Sequence, residues 1–73
     1  MEQIKIQTEN IKLCQFLKFC SISQTGGNAN ELIKSGAIYV NDQQCLMRNK
    51  KLKNHDTIQY GNKTFEVVVD DNN

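Results

Sequence analysis

Apolar and polar residues alternate near both ends of the chain. Ile4 and Ile6 alternate with polar neighbours, and near the C-terminus every second residue from Phe65 to Val69 is apolar. A period of two is typical of a strand with one buried face. We therefore expect a strand at each end, and the last strand is placed to pair with residues 3–7.

The first helix is predicted from apolar residues spaced at i, i+3, i+4 and i+7. These residues are Leu13, Phe16, Leu17 and Cys20. The spacing places them on one face of a short amphipathic helix, with Lys12 at its start and Lys18 on its polar side. Phe19 lies off the main stripe, but we expect it in the core with Phe16.

A second helix follows a connection at residues 21–27. Its narrow apolar stripe consists of Ala29, Leu32 and Ile33. Thr25 is the expected N-cap, because a hydroxyl there accepts a free N–H of the first turn. Gly36 stands where a left-handed residue ends a helix. A helix pair packed on another layer is expected.

Short strands and turns account for the rest of the chain. Strands are predicted at 38–40, 45–47 and 58–60, with turns at Asn41-Asp42, 54–56 and Gly61-Asn62. The order β-α-α-β-β-β-β predicts an α+β module with one small antiparallel sheet. We expect a single domain over residues 1–73, with a core at about 4–69 and a polar tail at 70–73.

Composition limits the class of protein. The chain has 73 residues, of which 38% are hydrophobic, and a chain this short buries only about 60% of its unfolded surface. This favours a compact module that presents a surface over an enzyme with a deep cleft. No apolar run approaches the length of a membrane span, and the N-terminal segment lacks the order of a signal peptide. The cytoplasm is the expected location.

The cysteines and the single histidine do not suggest a reactive or metal site. Cys14, Cys20 and Cys45 are odd in number, so we expect free thiols. Together with His55 they match the ligand count of a Cys₃His zinc site, but the spacing of Cys14 and Cys20 does not fit one. No nucleophile is identifiable beside His55 by motif. We expect no metal, no cofactor and no catalysis.

Positive charge is concentrated in the middle of the chain. The net charge is −1 over residues 1–9, +5 over 10–63 and −3 over 64–73, and four cations lie within 48–53. Such clustering is typical of proteins that bind polyanions. A solvated surface that only confers solubility is the alternative interpretation.

Gly26 and Gly27 open the second helix. Small residues there allow a phosphate to approach free backbone N–H groups. A tight turn that needs positive φ is the favoured explanation of the same pair. Tyr39 and Tyr60, on predicted strands, are able to stack on a base or merely to cover the sheet.

These features together resemble the S4-type RNA-binding domain, and in particular its small stand-alone bacterial YaaA/YbcJ-like branch. The family pattern is basic-Leu-Asp-x-x-Leu, Ser-Arg-x-x-Ala-x-x-x-Ile-x-x-Gly, Val-x-Val-Asn-Gly and Gly-Asp-x-Val. The matching residues are Lys12-Leu13 and Leu17, then Thr25, Ala29, Ile33 and Gly36, then Ile38, Val40 and Asn41, then Asp56 and Ile58.

The resemblance implies a fold and a binding surface. The S4-like fold, with its alpha-L motif, has two short helices packed on a small, mainly antiparallel, twisted sheet of four to five strands. The residues that correspond to its RNA-binding surface are Lys12, Thr25, Gly26, Gly27, Asn28, Arg48, Lys50 and Lys51, with Lys18 and Lys53 in second place.

The chain departs from the family pattern at several positions. Gly26 stands where many members have Arg, so we expect binding to depend more on residues 48–53. Asp42 and His55 stand where Gly is usual, and we expect strain in both turns. Cys14 replaces an Asp, so a helix cap is expected to be lost.

The leading hypothesis is a non-enzymatic module that binds structured RNA through phosphates and shape. The expected partner is ribosomal RNA or tRNA, with association with the ribosome; we expect a monomer and no small-molecule substrate. A protein-interaction adaptor, on the ribosome or on an RNA-processing enzyme, stays open, because residues 43–47 are uncharged and edge strands are expected.

Overall fold

The computed structural model describes residues 1–23 and 26–70. Its helices are α1 (Leu13–Phe19) and α2 (Gly26–Lys34), and its strands are β1 (Glu2–Ile6), β2 (Ile11–Lys12), β3 (Ile38–Val40), β4 (Gln43–Gln44), β5 (Lys51–Leu52), β6 (Thr57–Tyr60) and β7 (Lys63–Val69). Neither helix of this described part is long and apolar enough to cross a membrane.

Five of the strands form one sheet in the order β1-β7-β6-β3-β4. β1 and β7 pair in parallel, with Ile4 opposite Val67, whereas the other neighbours in this sheet are antiparallel. Two-residue turns at Asn41-Asp42 and Gly61-Asn62 connect the hairpins, as the sequence predicts. The expected α+β fold, with two helices and a mainly antiparallel sheet, is confirmed, and so is the pairing of the last strand with residues 3–7.

The core lies between the helix pair and the sheet. Its buried side chains come from both helices (Leu13, Phe16, Leu17, Ala29 and Ile33) and from the strands (Ile6, Ile38, Val40, Leu52, Ile58, Phe65 and Val67). The rings of Phe16 and Phe65 meet edge to face, with 6.5 Å between centroids, a favoured geometry for aromatic pairs. This contact joins α1 directly to β7.

Both helices end in the same left-handed cap. Gly36 has φ of +81°. Its N–H donates to the carbonyl of Ile33, and the next N–H, of Ala37, donates to the carbonyl of Leu32, which is the Schellman arrangement. Ser21, with φ of +65°, has the equivalent place after α1. The helix end predicted at Gly36 is confirmed.

The predicted strand at 45–47 is wrong. The turn at Asn41-Asp42 has positive φ at both residues, which matches a tight hairpin and sets residues 43 and 44 opposite Val40 and Tyr39. The strand is therefore β4, and the chain leaves the sheet after Cys45 N–H donates to the carbonyl of Ile38.

Two further elements differ from the expectations. The short strands β2 and β5 pair with each other in a separate antiparallel ladder, and neither is predicted from the pattern. Phe19 is 59% exposed and is not a core residue, because the stripe of Leu13, Phe16 and Leu17 faces the sheet. The predicted N-cap Thr25 and the tail residues 71–73 lie outside the described residues.

Candidate nucleic-acid interface

The start of α1 is capped by the backbone of residues 48–53, which we call the basic segment. Lys12, at the N-cap position, makes no side-chain cap hydrogen bond. Instead, Leu13 N–H donates to the Lys50 carbonyl at 2.9 Å, and Cys14 N–H donates to the Arg48 carbonyl at 3.1 Å. The first N–H groups of a helix need such acceptors. The capping interaction expected to be lost at Cys14 is thus replaced, and these two bonds hold Arg48 and Lys50 beside α1.

The β2–β5 ladder places two lysines opposite each other. Lys12 is the partner of Lys51, and Ile11 is the partner of Leu52. Directly opposed residues project from the same face of an antiparallel pair, and adjacent residues project from opposite faces. Leu52 is completely buried while both lysines are exposed. The inner face of this ladder therefore joins the core, and its outer face carries two positive charges.

We name Lys12, Arg48, Lys50 and Lys51 the basic surface. All four side chains are exposed. Within the described residues, the one contact of salt-bridge length joins His55 and Glu66, so no described carboxylate forms a salt bridge with the basic surface. Like charges directly opposite each other across strands destabilise a fold. The arrangement is unfavourable for the free protein and favourable for an anion.

A hydrogen-bonded clamp fixes the far end of the basic segment. The Asn41 side-chain amide donates to Asp56 Oδ1 at 3.2 Å, and Asp56 Oδ2 accepts the Lys53 N–H at 2.7 Å. The Asn41 side-chain oxygen also accepts the Thr57 N–H at 3.0 Å. Asn41 and Asp56 are two positions of the S4 pattern, and their role in this structure is to join the turn after β3 to the turn before β6.

Two turns contain a residue other than glycine in the left-handed backbone conformation. Asp42 has φ of +67° and His55 has φ of +74°, in the region that favours glycine. These are the positions where the family pattern has Gly. The left-handed backbone agrees with the family's use of Gly at these positions, and strain in the two turns stays a prediction.

Glu66 is engaged by hydrogen bonds away from the basic surface. Gln3 Nε2 donates to Glu66 Oε1 at 3.1 Å, and His55 Nδ1 lies 3.2 Å from Glu66 Oε2. The hydrogen bond from Gln3, followed by that with His55, lowers the pKa of Glu66. This carboxylate is thus bound by β1 and by the turn at residues 54–56.

The remaining predicted site residues are spread over three other places. Lys18 is exposed in the last turn of α1, and Lys53 follows β5 beside the clamp. Gly27 and Asn28 are exposed in the first turn of α2, which begins at Gly26 and packs against α1. Their participation in a common site stays a prediction, and Thr25 is outside the described residues.

The cysteines do not form a metal site in the described part of the chain. Cys14, Cys20 and Cys45 are free and half-buried, and residues 1–23 and 26–70 contain no group of three or more possible ligands. Burial raises the pKa of the Cys20 thiol, which disfavours the reactive thiolate.

Leu46 and Met47 are exposed apolar residues that the sequence pattern placed on a strand. They are 58% and 66% exposed, directly before Arg48. The signal in the sequence is the lack of alternation from Cys45 to Met47, which is untypical of a strand.

Comparison with known proteins agrees with this geometry. The profile of the S4 domain family matches residues 4–68. The probable ribosome maturation protein RlbA of Bacillus subtilis is 38% identical over 66 residues, which cover 89% of this chain and 93% of that protein. The expected resemblance to S4-type RNA-binding domains is confirmed, and the chain belongs to the S4 domain family.

Proposed function

We propose that this protein is a non-enzymatic module that binds structured RNA through phosphate contacts and shape. The observation that carries the proposal is the basic surface. Lys12 and Lys51 lie opposite each other, and no carboxylate of the described residues forms a salt bridge with either. The backbone hydrogen bonds at the start of α1 hold Arg48 and Lys50 alongside them. An RNA backbone supplies the negative charge that the free surface lacks.

The mechanism is phosphate neutralisation on a fixed scaffold. Arg48 is able to contact a phosphate bidentately, and the lysines act as point charges. The base edges of an A-form helix are poorly accessible in its deep groove, so shape and backbone dominate recognition. Because the α1 cap and the Asn41–Asp56 clamp hold both ends of the basic segment, its backbone is ordered before RNA arrives.

Ribosomal RNA is the ligand that we infer for this module. The similar Bacillus subtilis protein carries the name of a ribosome maturation protein, and we extend that setting to this chain by similarity. The module acts on or near the ribosome in the cytoplasm, as a monomer and without a small-molecule substrate. tRNA is the other structured RNA in the same setting.

The proposal is tested by measuring binding to a structured ribosomal RNA fragment at several salt concentrations. Four phosphate contacts give a slope of log K against log salt of about −3 to −4. Replacing Lys50 and Lys51 together by Ala should weaken binding to unrelated structured RNAs and reduce the slope by about 1.5 to 2.

The matched control replaces Lys34 and Lys63 by Ala. These lysines are exposed, lie at the end of α2 and the start of β7, and change the net charge equally. We expect the control to bind nearly as the wild type does. Equal losses in the two double variants, or binding that ignores salt, would contradict the proposed surface.

A protein-interaction adaptor is the second candidate function. Among the described strands, β4 is an edge strand that pairs only with β3, and Leu46 and Met47 beyond it are exposed. An open edge and apolar side chains suit strand addition by a partner. Capture of a ribosomal protein that survives nuclease treatment and depends on Leu46 would favour this function over RNA binding.

A further inference from the structure

A groove of about 1150 Å³ runs between α1 and the end of β1. The side chains that matter for its chemistry are Lys5, Gln7, Asn10, Gln15, Lys18 and Phe19. Small-molecule sites in proteins have volumes of about 300–1,000 Å³. The groove is therefore large enough for a nucleobase with its sugar and phosphate.

An exposed aromatic ring lies at this groove. Phe19 is 59% exposed although it is in the last turn of α1, whose apolar stripe is otherwise buried. A phenylalanine ring offers a flat apolar face without any hydrogen-bonding preference, and every nucleobase is able to stack on such a face. Phe19 contributes nothing to the core, so its ring is available to a ligand.

The polar side chains at the groove suit a nucleotide. Lys5 and Lys18 supply positive charge for a phosphate, and the amides of Gln7, Asn10 and Gln15 offer donors and acceptors for a base edge. Asp70 is the carboxylate at the groove, against the two lysines Lys5 and Lys18, so the charge of the groove still favours an anion.

The groove and the basic surface both border β2. Ile11 lines the groove, and the next residue along β2 is Lys12. α1 has seven residues and is about 10 Å long, so Phe19 lies about 10 Å from the capped end where Arg48 and Lys50 are held. An RNA whose phosphates contact the basic surface thus has a neighbouring nucleotide within reach of Phe19.

From this juxtaposition we infer that the groove receives one unpaired nucleotide of the RNA, with its base stacked on Phe19 and its phosphate at Lys18 and Lys5. The inference rests on the proposed function and narrows the class of RNA. The preferred ligand is a helix interrupted by a bulged or looped-out nucleotide. An extruded base costs least to insert when it is already unpaired.

The test compares two hairpin RNAs that differ by one nucleotide. One hairpin is fully paired, and the other carries a single bulged 2-aminopurine, whose fluorescence reports stacking. The wild-type protein should bind the bulged hairpin about 5- to 150-fold more tightly, which is the range for stacking of one base, and should change its fluorescence.

Two substitutions at one position separate stacking from simple apolar contact. Phe19→Leu should remove the preference for the bulged hairpin and the fluorescence change, while binding to the paired hairpin stays the same. Phe19→Tyr keeps a ring and should keep both effects. Because Phe19 is exposed, both variants should unfold at nearly the wild-type temperature.

The outcomes distinguish the groove from the basic surface. Replacing Lys50 and Lys51 by Ala should weaken binding to both hairpins equally and leave the preference intact. Equal wild-type affinity for the two hairpins, or a Phe19→Leu variant that retains the preference, would overturn the inference while the proposed function stands. Absence of binding to both hairpins would overturn the proposed function.

Discussion

The opposed lysines of the β2–β5 ladder predict that one substitution improves folding and impairs binding. Lys51→Glu converts the pair with Lys12 from repulsive to attractive. Two unit charges about 6 Å apart in water interact by roughly 0.7 kcal/mol, and the substitution reverses the sign. After allowance for side-chain entropy at an exposed pair, we expect the free energy of unfolding to rise by about 0.5–1 kcal/mol.

The assay is thermal unfolding followed by circular dichroism at low and high salt. For a domain of this size the gain corresponds to a rise in Tm of about 2–8 °C. The gain should be largest at about 0.01 M salt and nearly absent at about 1 M, where the Debye length is only about 3 Å. RNA binding by the same variant should be weaker, because a phosphate contact is replaced by a carboxylate.

Two control variants isolate the pairwise interaction. Lys51→Gln removes the repulsion without adding an attraction, so it should give about half of the gain. The double variant Lys12→Glu with Lys51→Glu restores like charges and should lose the gain. If the double variant is as stable as Lys51→Glu, or if the gain persists at high salt, the cross-strand repulsion does not exist and strand propensity explains the result.

Two further predictions concern the fold. Gly36→Ala should lower the free energy of unfolding by about 1–2 kcal/mol, because the backbone is left-handed and the end of the Gln44 side chain, which lies where the new Cβ would be, must move and give up its hydrogen bond to the Gly36 carbonyl. Gly61→Ala, also left-handed but with nothing within 4 Å of its Cβ, should cost less, and equal Tm losses would refute the steric part. The hydrogen bonds that lower the pKa of Glu66 mean that the unfolded chain binds more protons than the native one below the ordinary glutamate pKa of about 4.3. Stability should therefore fall as the pH is lowered through that range. Glu66→Gln should make Tm depend less on pH there, and an unchanged dependence would contradict the role given to Glu66.

Local patterns were sufficient where neighbouring residues decide the structure. The spacing of Leu13, Phe16 and Leu17 places them on one face of a helix. Gly36 permits a left-handed helix end at low cost, and the alternation from Phe65 to Val69 suits a strand with one buried face. These features depend on backbone preferences and side-chain period, which are properties of a short segment.

Patterns failed where pairing with a distant segment decides the structure. β2 and β5 have two residues each, too few to show a period, and they exist because each completes the other's hydrogen bonds. The segment 45–47 is apolar enough for a strand, but the Asn41-Asp42 turn fixes the register and ends the pairing at residue 44. Phe19 is aromatic and helical, yet the sheet covers another face of α1.

The sequence by itself determined the family pattern, the two helices and the presence of a basic segment at 48–53. The charge pattern did not determine that Lys12 joins this segment, because Lys12 lies far from it along the chain; only the family resemblance implied a shared surface. Only the tertiary structure brings them together, since the free N–H groups of α1 take their acceptors from the backbone of Arg48 and Lys50. A side chain's charge is a local property, but the field of several charges depends on distances that only folding sets.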